Sequence, residues 1–307
     1  MTTTTKTMAT KTILNPMGDA TQSHPLRPIL TRFASQDLHW VGDGFLTQSL
    51  LPYQQHAHDT SPFLLAGYNP PRHFAPSATA KGVGMHPHRG FETVTLVFQG
   101  GVAHGDTMGN RGEIFAGDVQ WMTAGSGVQH EEFHAANIAR DGGTLEMVQL
   151  WVNLPAAEKN TAPRYQTLAA DRIPTLDLGQ GAKLRVIAGE YDGVAGPART
   201  ASPMQLWDVY LPAGARHQFS RPAGESLSLV ALSGDLDLNG AHKLHGAQSV
   251  IFTRDAGGVD VRAETAAHYL VMAGQPLDEP IAMSGPFVMN SEEELRAAYR
   301  DFRAGKF

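Results

Sequence analysis

The stretch that decides the reading is His86-Pro87-His88-Arg89-Gly90-Phe91-Glu92-Thr93-Val94, answered 42 residues after His88 by His130-Glu131-Glu132. On an extended strand, residues two apart project to the same face. Two such strands side by side would aim His86, His88, His130 and Glu132 into one small volume. Three imidazoles and a carboxylate suit a divalent first-row metal. Pro87 cannot donate to a sheet ladder, so the His-Pro-His segment belongs at a strand start or a sheet edge, with its imidazoles toward a barrel mouth. A lone His-x-His is as readily an ordinary pair of satisfied or surface histidines. The second pair, on a neighbouring strand, carries the metal reading.

Nearby polar residues compete for the same role. Glu92 is an alternative carboxylate ligand if its strand continues from His88 without a bulge. His104 is a candidate partner that orients a ligand, or simply a loop histidine. His134 extends the ligand face two residues past Glu132 and ranks below it. Gln129 and Glu131 should point away, and Trp121 and Met122 read as packing.

Outward from this stretch, short apolar runs alternate with Gly-rich turns: Glu92 to Phe98, Val119 to Met122 and Leu145 to Val152. They read as strands of a sandwich or barrel. A second block follows, with strands expected at Leu184 to Ile187, Leu206 to Leu211, Leu227 to Leu232, Ser249 to Phe252 and His268 to Met272. Leu232-Ser233-Gly234-Asp235 holds a place like that of Phe98-Gln99-Gly100-Gly101. Leu244-His245-Gly246 similarly matches Phe115-Ala116-Gly117, suggesting two copies of one plan. Residues 155–171, with Pro163, are the expected crossing between them. Near the C-terminus, Ser291 and Glu294 form a capping-box pattern, and Leu295, Ala298, Tyr299 and Phe302 share one helical face.

Composition narrows the function. The 307 residues are 42% hydrophobic and only 18% charged, which favours globular cores. Thirty-two Gly and 19 Pro favour short strands and tight turns. A net charge of −6 without basic runs argues against direct nucleic-acid binding. The absence of cysteine removes disulfides, thiolate-held zinc, iron–sulfur clusters and thiol nucleophiles, so any metal must be held by His and carboxylates. No apolar run is long enough to span a bilayer. The Thr-rich opening reads as a disordered tail over residues 1–25, a transit peptide being disfavoured by its lack of Arg. The cytoplasm is the expected compartment.

The His86–Val94 stretch, together with Gly117-Asp118-Val119-Gln120-Trp121-Met122-Thr123-Ala124-Gly125, closely resembles motifs of the pirin family. Gln149-Leu150-Trp151-Val152-Asn153-Leu154 and Gly285-Pro286-Phe287-Val288-Met289-Asn290 extend the resemblance, in order, from about residue 30 to the end. It implies an all-β fold of two tandem cupin (jelly-roll-like) β-barrels with a short C-terminal α-helix. The metal-binding barrel would span residues 26–158, and a second barrel without metal 159–307. By position it makes His86, His88, His130 and Glu132 the ligands and Glu92 a non-ligand. The second barrel reads Leu211-Pro212-Ala213-Gly214-Ala215-Arg216-His217-Gln218-Phe219 at the corresponding place, with no His-x-His. The resemblance further implies one mononuclear ion, Fe(II) first, with Ni, Co, Mn, Cu or Zn as alternatives. The implied activity is a quercetin (flavonol) 2,3-dioxygenase that opens the flavonol with O2 and releases CO. In such chemistry Glu132 accepts the hydroxyl proton if it loosens from the metal, and otherwise a metal-bound hydroxide must do so. The alternative is a non-enzymatic, redox-sensing iron regulator that binds protein partners.

Overall fold

The computed structural model describes residues 25–34, 37–52 and 55–307; all of the expected N-terminal tail except Pro25 lies outside them. The fold is all-β, two tandem barrels of cupin type with a short C-terminal helix, as expected. Each barrel closes a seven-stranded antiparallel sheet over a four-stranded one. In the N-terminal barrel the small sheet runs Gly82–His88, Val128–His134, Gly101–Asp106, Arg111–Phe115. In the C-terminal barrel the same order recurs as Arg216–Arg221, Gly257–Ala263, Leu236–Leu238, His242–Leu244. The turns matched by sequence, after Phe98 and after Leu232, both enter the third strand of that order. The faint internal similarity is therefore a repeat of topology.

Two strands cross the boundary expected at 158/159. Ile29–Phe33 pairs with Gln248–Phe252 and completes the large sheet of the C-terminal barrel. Arg164–Leu168, within the expected crossing, pairs with Val119–Thr123 and completes the large sheet of the N-terminal barrel. Pro163 only precedes that strand, where its missing N–H costs no ladder bond. Each barrel thus borrows an edge strand from the other side of the expected division.

Buried apolar residues form three main layers. One fills the C-terminal barrel, from Leu184 and Trp207 to Leu229, Val261 and Val271. A second lies between the two large sheets, where Val94, Leu96, Trp121 and Leu150 meet Leu206, Val230, Leu270 and Met272. Trp121 is fully buried there, which is the packing role expected of it. The third, inside the N-terminal barrel, is smaller and includes Phe45, Val97, Ile114 and Met147.

The C-terminal helix spans Glu292–Arg303, with the Ser291 hydroxyl accepting from the Glu294 N–H. Leu295, Ala298, Tyr299 and Phe302 pack on Phe287 and Met289. Although it ends the second barrel in sequence, this segment docks on the first: Val288 packs with Leu64 and Phe91, and Arg89 pairs with Asp301 at 2.7 Å. Among the described residues, no helix is long and apolar enough to cross a membrane.

Candidate metal centre

Strand Gly82–His88 is the edge of the small sheet, where Pro87 can be accommodated. It pairs antiparallel with Val128–His134, bringing His130 opposite His86 and Val128 opposite His88. Alternation then turns all three imidazoles into the lumen. Their ring centroids are 4.4 Å (His86–His130), 4.9 Å (His88–His130) and 4.9 Å (His86–His88) apart. One nitrogen of each lies within 4.8 Å of the others. A bulge after His130 places Glu132 opposite Val83, one step out of the register that pairs His130 with His86. Glu132 lines the same pocket but is not part of the close cluster. Both its carboxylate oxygens accept from Gln149 Nε2, at 2.9 and 3.1 Å.

The electrostatics favour ligand-competent imidazoles. Burial, reinforced by His86 and opposed by the Pro286 carbonyl, pushes His88 down to about 3. Burial first, then the neighbouring histidines, pushes His130 well below its ordinary value. Both rings are therefore neutral at neutral pH. The nitrogens of His130 have no hydrogen-bond partner among the described residues, and those of His88 make no contact of ordinary hydrogen-bond geometry. Leaving buried polar nitrogens unpaired is costly unless something accepts their lone pairs. His86 Nδ1 lies 2.9 Å from the Gly84 carbonyl, a contact that leaves Nε2 as the free donor to a metal. This donor set fits a divalent first-row cation. Burial also raises the Glu132 pKa, with His86 and Gln149 acting in the opposite direction.

The other candidates separate cleanly. The chain turns at Gly90 (φ 85°) and moves from the small sheet to the large one, so Glu92 does not continue the face of His88. Glu92 stands opposite Val152 and Thr123, on the side of Val94 and Trp121 between the barrels. It accepts from Thr123 Oγ1 at 2.6 Å and lies away from the histidines, so it is not an alternative ligand. His134 shares the face of His130, but its Nε2 lies 2.8 Å from the Gly44 carbonyl and its ring packs edge-on against Phe45 and Phe74. His104 is a strand residue opposite Glu132, stacked on Tyr165 at 5.6 Å, and its buried Nδ1 has no hydrogen-bond partner among the described residues. Gln129 and Glu131 point away as expected, to the Phe307 carbonyl and Arg111. Met122 packs with Val128 and Tyr165.

Above the cluster lies a pocket of about 360 Å³ with apolar walls that include Phe45, Leu65, Met147 and Trp151. Such a volume and lining suit a small, largely apolar ligand. Sequence reasoning missed Gln149. The signal was present: Met147, Gln149 and Trp151 alternate on one face of strand Gly143–Asn153, and a lone amide on such a face needs a partner inside the barrel.

A family model described as Pirin matches residues 44–152, and one described as the pirin C-terminal cupin domain matches 206–307. A Pseudomonas aeruginosa protein named putative quercetin 2,3-dioxygenase is 47% identical, over 92% of this chain and 99% of its own. Human pirin is 37% identical, over 72% of this chain and 76% of its own. The crystal structure of a quercetin 2,3-dioxygenase from Acinetobacter baumannii superposes with a TM-score of 0.90 at 46% identity, covering 92% of this chain and 98% of that one.

Proposed function

The chain belongs to the pirin family, and from that premise we propose that it is a metal-dependent dioxygenase of the quercetinase type. Its substrate would be a flavonol, opened with O2 and release of CO. The observation that carries the proposal is the pairing of an inward-facing histidine triad with a carboxylate at the base of an apolar pocket. His86, His88 and His130 would hold the ion, with Glu132 as the fourth, looser ligand. When bound, a divalent cation supplies Lewis acidity to the substrate's 3-hydroxyl and, if redox-active, a route for electrons to dioxygen. Iron(II) is the first expectation for such a donor set with open positions.

The chain's own groups do the rest. Glu132, on loosening from the ion, accepts the 3-hydroxyl proton on a carboxylate oxygen. Gln149 holds that carboxylate through both oxygens and is itself 3.3 Å from Thr95 Oγ1. Trp151 and Met147 offer flat and flexible apolar surface to an aromatic ring, and the apolar walls exclude water that would compete for the proton. The test is aerobic incubation of metal-loaded protein with quercetin, measuring stoichiometric CO. Protein that holds the ion yet releases no CO would contradict the enzymatic reading and favour a metal-dependent binding role.

A further inference from the structure

The ligand strands are gripped from outside the barrel by the end of the chain. Lys159 is 1% exposed, and its ammonium donates to the Gly90 carbonyl (2.8 Å), Asn153 Oδ1 (2.7 Å) and the Val288 carbonyl (3.0 Å). All three N–H donors are used, and two of the acceptors, the Gly90 and Val288 carbonyls, lie on different segments that the ammonium ties together. Gly90 is two residues past His88. A side chain there would place its Cβ 2.0 Å from the Val288 oxygen, so the two backbones meet closely. Arg89 adds to the same junction. Its carbonyl accepts from the Val288 N–H at 3.0 Å, its guanidinium pairs with Asp301 at 2.7 Å, and its Cζ lies 5.8 Å from the centre of the Phe307 ring.

The second ligand strand is held by the same segment. Gln129, the neighbour of His130, donates to the Phe307 carbonyl at 2.6 Å. A Cβ on Gly127 would sit 2.5 Å from the Phe307 ring, so the ring occupies the space at the entry to that strand. The exit of one ligand strand and the entry of the other are cross-strand neighbours, His88 opposite Val128. Residues 286–307 lie across both.

We propose that Lys159 is a positioning residue for the metal centre: together with Arg89 it fastens residues 286–307 as a brace across the strands that carry His88 and His130. The brace fixes the separation of the imidazoles before an ion arrives, so its loss appears in metal affinity and ligand geometry. This inference rests on the reading that the histidines hold a metal and is independent of flavonol chemistry.

The experiment is a Co(II) titration of metal-stripped full-length protein, followed by d–d absorption, with apo melting temperature measured in parallel. Lys159→Met should weaken Co(II) binding by about tenfold or more, the scale seen when a partner that orients a ligand is lost, and should shift the d–d bands. Arg27→Met is the control. Arg27 is the other fully buried cation among the described residues, and it bonds the Thr253 and Glu225 carbonyls of the C-terminal barrel. It should lower the melting temperature and leave Co(II) affinity and spectrum unchanged. At the helix, Asp301→Ala should weaken Co(II) binding by a smaller factor and Asp301→Glu restore it; this pair decides should Lys159→Met not fold. Wild-type affinity and spectrum in Lys159→Met, equal weakening in Arg27→Met, or an Asp301→Ala protein that binds as wild type would each overturn the brace. A wild-type protein that takes up no Co(II) would overturn the metal reading, and the brace with it.

Discussion

The two barrels share a strand order, and the corresponding strand pair of each small sheet carries a buried histidine. In the C-terminal barrel His217, 3% exposed, has Nδ1 2.8 Å from the Tyr269 hydroxyl and Nε2 3.1 Å from the Tyr191 hydroxyl. In the N-terminal barrel both nitrogens of His130 are unpartnered among the described residues and those of His88 lack ordinary hydrogen bonds. Burial depresses the pKa of His217 to about 4 and of His88 to about 3, so the depression does not separate a site from a core. Satisfaction separates them. Two tyrosines take up the lone pair and the proton of His217, while the N-terminal cluster keeps its lone pairs converging on one point. Around His217 the lumen is packed with Leu, Val, Trp and Phe, whereas around the triad it opens into the pocket.

This contrast can be broken most directly at Glu132. Glu132→Gln should lower flavonol turnover by about 10²–10⁴-fold, the usual contribution of a positioned general base, with metal still bound through the histidines. Steady-state CO release with metal analysis checks it, and unchanged turnover would remove Glu132 from the chemistry. Between the barrels, Leu270→Ala should cost about 2–5 kcal/mol, since Leu270 is fully buried in the shared layer. Both halves should still melt in one calorimetric transition, and two separated transitions would show that the layer does not couple them.

His217 gives the comparison a pH dependence. Its folded pKa of about 4 lies below the ordinary 6.5, so between those values the unfolded chain binds a proton that the folded chain does not. Its contribution to stability is complete above pH 6.5 and is lost as pH falls toward 4, a change on the order of 3 kcal/mol. Urea midpoints across that range should fall less in His217→Gln. Equal acid limbs would place the sensitivity elsewhere. The smallest effect is expected at Gln149→Leu, which frees the Glu132 carboxylate but keeps the wall apolar. Turnover should drop about 10–100-fold with little change in melting temperature, and a mutant of wild-type turnover would leave Gln149 no positioning role.

Much of this was legible in the chain. The i, i+2 spacing of His86 and His88 and the single proline between them were enough to place both rings on one face of an edge strand. The helix was written in Ser291, Glu294 and its apolar face. Periodicity alone leaves Glu92 open as a ligand because it assumes an unbroken strand, whereas the turn at Arg89-Gly90 changes sheets; the pirin resemblance already makes Glu92 a non-ligand. The exchange of Ile29–Phe33 and Arg164–Leu168 was illegible because each is a half-exposed edge strand whose partner is chosen by the packing of distant sheets. The docking of residues 286–307 on the first barrel was hidden for a similar reason: the bond from Lys159 to Val288 spans 129 residues, and no local pattern announces it.

The central claim is that one barrel, and only one, closes around an ion. Metal content per chain of the wild type, His88→Ala and His217→Ala, each purified from metal-replete growth, tests it directly. The account predicts one ion, none and one. An ion retained by His88→Ala, lost from His217→Ala, or missing from the wild type would contradict it.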